Sequence, residues 1–144
     1  MKNRFDINII PENRLESILP LVDLLNNGAI PYELLRERLQ HMIAMGSYKC
    51  IGIYEADELI GICGVWILNK FYVGKHIEPD NVFIKKKYRN QGVGHLLMEW
   101  LFEYAKEIDC LASKVNCYVE NKKGNVFWES HGYQTVAFHK SKKI

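Results

Sequence analysis

The sequence predicts an α/β protein of the α+β type, with a mixed, mostly antiparallel central sheet flanked by helices on both faces. Three observations carry this. Apolar alternations and helix-period stripes succeed one another in the order β-α-α-β-β-β-α-β-α-β. Residues 48–68 read as two strands joined by the polar turn "EADE", a hairpin and hence antiparallel. Their apolar runs are nearly continuous, as in strands covered on both faces. With the ragged segment after the hairpin included, the sheet has six to seven strands.

In "RFDINII", Phe5, Ile7 and Ile9 alternate with polar residues, a half-buried strand stopped by Pro11. Leu15, Ile18, Leu19, Val22 and Leu25 or Leu24 then recur at helical spacing, and Pro20 inside the stripe predicts a kink or two shorter pieces. A second helix opens with Pro31 in its first turn and closes on Gly46. After the hairpin, "NKFYVGKHIEP" reads as a loop or ragged strand and Asp80 to Lys85 as a strand. A long amphipathic helix follows, with Leu97, Trp100, Leu101, Tyr104, Ala105 and Ile108 on one face. "SKVNCYVE" alternates again, a short helix through Val126 and Phe127 ends at Gly132, and "YQTVAFH" returns as a final strand.

A chain of 144 residues is about one domain's worth, here 1–144. A domain of this size buries roughly 68–70% of its unfolded surface, so it needs no metal or disulfide. The 19 Lys and Arg nearly balance 17 Asp and Glu, which disfavours a nucleic-acid partner and makes any anion binding local. Cys50, Cys63, Cys110 and Cys117 form no C-x-x-C pair and have no histidine at zinc-ligand spacing. They read as reduced thiols of a cytoplasmic protein, with Cys50, Cys63 and Cys117 in apolar strands. No signal-peptide or membrane-spanning pattern is present.

The chemistry concentrates in "KKKYRNQGVGHLL", residues 85–97. A glycine-containing turn that leaves a strand and opens a helix points several backbone N–H groups one way. The helix dipole adds roughly half a positive charge at that end, a cradle for phosphate oxygens. Gly92 and Gly94 keep side chains out of that cradle, and Arg89 supplements its charge. Taken alone, the turn is equally compatible with ordinary helix-start chemistry. It has neither the G-K-[ST] of a P-loop nor the third glycine of the dinucleotide fingerprint.

"VFIKKKYRNQGVGHLL" resembles the signature of the GCN5-related N-acetyltransferase (GNAT) family: a strand, a charged bend, then [RQ]-x-x-G-x-[GA] opening a long helix. A second match lies downstream, where Asn121 precedes "NVFWESHGYQTV". The order of elements across the whole chain is similar as well. The resemblance implies the acyl-CoA N-acyltransferase fold and transfer of an acetyl group from acetyl-CoA, without a metal, to the amine of a small molecule or peptide. It places the cosubstrate's pyrophosphate on the backbone of Arg89, Asn90, Gln91, Gly92, Val93, Gly94 and His95. The pantetheine arm is expected along Val82, Phe83 and Ile84, with Asn121 and Trp128 holding it from across the cleft.

Acetylating an amine requires a neutral nucleophile, so a base or a water chain must remove the ammonium proton. Glu78 and Asp80 are the candidate bases. They sit at even spacing from Ile84, which puts all three on one face of an uninterrupted strand, with Pro79 a possible interruption. The backbone N–H of Ile84 is the candidate oxyanion donor. Trp128 stands where the family most often has a tyrosine, and an indole is no general acid. A proton for the leaving thiolate must then come from Tyr133, Tyr118 or water, or the thiolate leaves without one. Asn116 replaces the glutamate base of the ribosomal-protein N-terminal acetyltransferases, which argues against that subgroup. Other features have plainer readings: Lys85, Lys86 and Lys87 as phosphate attractors or a solvated run, His95 as packing against the sheet, and Trp66, Phe71 and Tyr72 as core or acceptor-pocket lining. The turn Asn27 to Tyr32 is the expected acceptor lid. A CoA-binding module without catalysis is the competing reading, and a homodimer is compatible with the family.

Overall fold

The structure is a computed structural model that describes residues 4–144. The sheet has five strands: β1 (Phe5–Ile9), β2 (Tyr48–Glu55), β3 (Glu58–Lys70), β4 (Gly74–Ile84) and β5 (Ala112–Ser113). They lie side by side in chain order, the first four antiparallel and β5 parallel to β4. The expectation of six to seven strands is corrected to five. The expected strand over "SKVNCYVE" shortens to β5, and among the described residues "YQTVAFH" pairs with nothing, leaving residues 134–144 exposed with no regular structure. Alternation was a good guide to side-chain chemistry here, but without a neighbouring backbone to fill the ladder it makes no strand.

Between β1 and β2 the chain forms a 3₁₀ segment, Glu12–Ile18, and two helices, α1 (Leu19–Leu25) and α2 (Tyr32–Met45). The two-piece form expected from Pro20 is present: the proline sits in the first turn of α1, where its missing N–H costs no hydrogen bond. Pro31 immediately precedes α2, and Gly46 closes it at φ 82°. A longer hairpin than expected joins β3 to β4 through Phe71–Val73. The ragged stretch 69–79 is therefore strand, apart from that tip, where Phe71 and Tyr72 are exposed rather than core.

After β4 come a 3₁₀ turn at Lys86–Tyr88, α3 (Val93–Glu107), β5 and α4 (Lys122–Ser130). On one face of the sheet, Val93, Leu97, Met98, Leu101 and Ala105 of α3 pack on Ile51, Cys63, Val65 and Ile77. On the other, Leu19, Leu21, Leu35 and Leu39 of α1 and α2 cover Tyr48, Cys50 and Ile62. Full burial of such side chains contributes about 1.5–3 kcal/mol each, so both faces anchor the sheet. Burial pushes the Cys50 thiol up to about 12 and keeps it protonated. Cys117 lies outside any strand and is only partly buried. Among the described residues no helix is long and apolar enough to cross a membrane.

Candidate active site

The site begins at an irregularity in β4. Gly64 pairs with Asp80 and Ile62 with Phe83, so Cys63 faces both Asn81 and Val82, and Asn81 takes φ 54°. This is a β-bulge, one extra residue on one strand. Before it, Glu78 and Asp80 lie opposite Trp66 and Gly64 and share the face covered by α1 and α2. After it, Val82 and Ile84 pack with the α3 cluster and Phe83 with the opposite one. The even-spacing argument is thus corrected: the two carboxylates share a face with each other but not with Ile84. Pro79 fits the strand without disturbing it, and the change of face occurs two residues later.

Each carboxylate has a partner. Trp66 Nε1 donates to Asp80 Oδ2 at 3.0 Å, and His76 Nε2 lies 3.1 Å from Glu78 Oε1. Neither partner was found from sequence. His76 is two residues before Glu78 on the same strand face, a relation visible only once the strand is known to start at Gly74 rather than Asp80.

Beyond the bulge the strand presents its main chain. Lys85 N–H donates to Ile60 O at 2.9 Å, so the neighbouring Gly61–Ile84 pair is the non-hydrogen-bonded kind. Ile84's own N–H therefore points away from β3 to the other edge of β4. That edge is open: β5 pairs only with His76 and Ile77, with Lys114 N–H reaching Ile77 O as the last contact. Arg89 Nε donates to Ile84 O at 2.7 Å, and its guanidinium lies over the Phe83 ring.

The turn into α3 follows at once. Asn90 and Gly92 both take positive φ, 60° and 79°. Among the described residues no N–H group from Gln91 to His95 has a hydrogen-bond acceptor, and no side chain caps α3. These are the orphan donors of a helix start. Gln91 is held out of the way, its Nε2 donating to Lys87 O at 2.9 Å while Arg4 donates to its Oε1; Arg4 also pairs with Glu55. Lys85 is drawn toward Glu58 and Lys87 stacks on Tyr88, so the lysine run serves the protein's own groups as well. His95 is turned outward, not onto the sheet, with Nε2 at 3.0 Å from Glu99 and Nδ1 at 3.4 Å from His131.

From across the turn, Phe127 of α4 approaches Gly94, where a Cβ would stand 3.4 Å from its ring. Asn121 caps α4, its Oδ1 accepting from Gly124 N–H at 3.0 Å. Trp128 lies between Phe127 and Tyr133, with the Tyr133 ring at 71° to its own. The Tyr133 hydroxyl is 2.6 Å from Ser113 Oγ, and burial pushes its phenol up to about 12. On the carboxylate face, a cavity of about 180 Å³ runs from the Asn26–Ile30 turn, past Val22 and Leu39, to Tyr48 and Asn81. A wider hollow of about 520 Å³ between Glu12 and Gln40 touches none of the residues expected in the site. Among the described residues no His, Cys, Asp and Glu cluster could hold a metal ion.

The arrangement combines a helix start with free N–H groups among the described residues, an open strand edge, and a pair of carboxylates on the sheet face where a cavity reaches Asn81. Glucosamine 6-phosphate N-acetyltransferase from Arabidopsis thaliana is 25% identical over 138 residues, covering 92% of this chain and 91% of that protein. Among solved structures, a ribosomal-protein-alanine N-acetyltransferase from Brucella melitensis superposes with a TM-score of 0.81 at 15% identity, over 97% of this chain and 99% of that one. AAC(6')-Iy in complex with the bisubstrate analogue CoA-S-monomethyl-acetylneamine gives 0.77 at 16% identity, over 98% and 100%. The family model described as the acetyltransferase (GNAT) domain matches residues 46–135, a span holding the bulge, the glycine turn and both carboxylates, and the chain belongs to that family.

Proposed function

We propose that this chain transfers the acetyl group of acetyl-CoA to a primary amine by direct attack within a ternary complex. The observation that carries this reading is the run of unpartnered N–H groups from Gln91 to His95 next to the open edge of β4. Such a run suits a pyrophosphate, and an open strand edge suits an extended, amide-containing arm. Val82, Phe83 and Ile84 would receive that arm, with Arg89, Asn90 and the turn to His95 receiving the phosphates. Asn121 and Trp128 on α4 would close the far side.

Acetyl-CoA supplies the activated thioester, and the reaction exchanges its C–S bond for a C–N bond. The outward N–H of Ile84 serves the developing oxyanion, where one well-placed donor is worth about 2.7–4 kcal/mol. Glu78 or Asp80 accepts the proton of the acceptor's ammonium. With Trp128 unable to donate to the leaving thiolate, Tyr133 or water supplies that proton. The cavity reaching Asn81 leads from the Asn26–Ile30 turn toward the bulge and suits an acceptor with an apolar portion. The relatives named above act on a sugar phosphate and on a ribosomal protein, two different acceptor classes.

Thermal-shift measurement with acetyl-CoA tests binding, because a ligand of the folded state raises its stability by mass action. Absence of any shift would remove acetyl-CoA from the reading. Thiol release across a panel of sugar, aliphatic and peptide amines tests transfer. A shift with no turnover would favour the second reading, a catalytically weak or inactive acyl-CoA-binding module, for which Trp128 in the tyrosine position is the specific observation.

A further inference from the structure

His76 is the one fully buried polar side chain among the described residues, at 0% exposure, and each ring nitrogen faces an acceptor. Nδ1 lies 3.0 Å from the carbonyl oxygen of Gly74, and Nε2 lies 3.1 Å from Glu78 Oε1. A carbonyl can only accept, so Nδ1 carries a proton. Gly74 itself belongs to the β3–β4 ladder, paired with Lys70. The contact at Nε2 is then a hydrogen bond only if a further proton sits between the ring and Glu78, on one or the other. Across the ladders His76 is paired with Leu68 of β3 and Ala112 of β5, neither of which titrates. Among the described residues its only titratable hydrogen-bond partner is Glu78.

Asp80 is tied differently. Its partner is the Trp66 indole, which donates and cannot take a proton. Of the two carboxylates, only Glu78 has a neighbour with which a proton can be shared.

We propose that His76 is a positioning residue that selects Glu78, over Asp80, as the group receiving the acceptor's proton. The Gly74 carbonyl orients the ring, and the ring fixes the Glu78 carboxyl through Oε1, leaving Oε2 for the amine. The proton leaves the ammonium nitrogen for the free Oε2 of Glu78, while the proton already between Oε1 and Nε2 stays there and holds the carboxyl in place, so none is created or lost. This rests on the acetyltransfer reading above and narrows its choice of base.

Imidazole nitrogen-15 NMR of the free protein tests the geometry without an acceptor. Nδ1 of His76 is expected to carry a proton throughout the range of about pH 5 to 8. The Nε2 signal is expected to change in Glu78→Gln and stay as it was in Asp80→Asn. An unprotonated Nδ1, or an Nε2 signal indifferent to Glu78→Gln, would overturn the proposal. For function, thiol release from acetyl-CoA with the best amine of the panel is measured across pH. His76→Leu is expected to lower kcat by about tenfold or more, alter the acidic limb, and leave the KM for acetyl-CoA within about twofold. His76→Gln, which retains a donor, should recover part of the loss, and an acetyl-CoA thermal shift in each variant verifies folding. If Glu78→Gln abolishes turnover while both His76 variants keep the wild-type rate and pH profile, the role of His76 falls and the acetyltransfer reading stands. If acetyl-CoA fails to shift the wild-type protein, that underlying reading falls instead.

Discussion

Gly92 and Gly94 stand two residues apart and lack side chains for different reasons. At Gly92 a Cβ would meet nothing within 4 Å, but φ is 79°, a conformation costing an ordinary residue about 1–2 kcal/mol. At Gly94 φ is unexceptional and a Cβ would make only van der Waals contact with Phe127. Gly92→Ala is therefore expected to lower acetyl-CoA affinity by about fivefold or more in a calorimetric titration, whereas Gly94→Ala stays near wild type. Equal losses would show that open space toward the ligand, rather than backbone conformation, is what both positions supply. Tyr133 gives a second prediction. Its phenol is raised from 10.0 to about 12, chiefly by burial. Below the unfolded value both states are protonated and the hydroxyl's contribution is intact. Between about 10 and 12 the unfolded chain loses its proton first, so stability declines as pH rises through that window. Thermal melts over this range should fall less steeply in Tyr133→Phe.

Among the elements, α4 depends most visibly on a single side chain. The Asn121 carboxamide folds over Gly124 so closely that a Cβ there would lie 2.4 Å from its Nδ2. Asn121→Ala should cost about 1 kcal/mol by loss of the cap, and Gly124→Ala should also destabilise because the Asn121 carboxamide would have to move off its capping position to make room. Chemical denaturation of both variants measures this. α4 was legible only in part. Its end near Gly132 followed from the glycine, but its start was placed at Val126, since Lys122–Asn125 show no apolar stripe and the cap is the only signal. α3 was plain because Leu97, Leu101 and Ala105 repeat at helical spacing. The glycine turn was legible for a similar reason: local backbone chemistry is written in local residues. The change of face in β4 was not, because a bulge is defined by the partner strand, and nothing in "PDNVF" alone shows that Cys63 will face two residues. The Trp66–Asp80 contact depends on that same cross-strand register.

For the whole molecule, nearly balanced charge leaves any anion binding to local features, and on the proposed reading two such surfaces lie one on each side of β4. The C-terminal segment stands apart from both. Val136 and Phe138 are 83% and 87% exposed, and every residue from 134 to 144 is exposed. Removing 134–144 is expected to leave the acetyl-CoA shift unchanged and the melting midpoint within about 2 °C. A larger fall that depends on protein concentration would mean that a second copy covers this segment in solution. The bulge at Asn81 has the wider consequence. Glu78 and Asp80 serve one side of the sheet and Ile84 the rim beside the glycine turn because a single residue shifts the phase of the strand between them. Forcing strict alternation through Asn81 at the present chain length would turn the strand's last three side chains inside out, whereas deleting Asn81 would leave them on the faces they now occupy. The bulge, which absorbs one residue more than β3 supplies, sets the two carboxylates and the side chains of Val82 and Ile84 on different faces of the sheet.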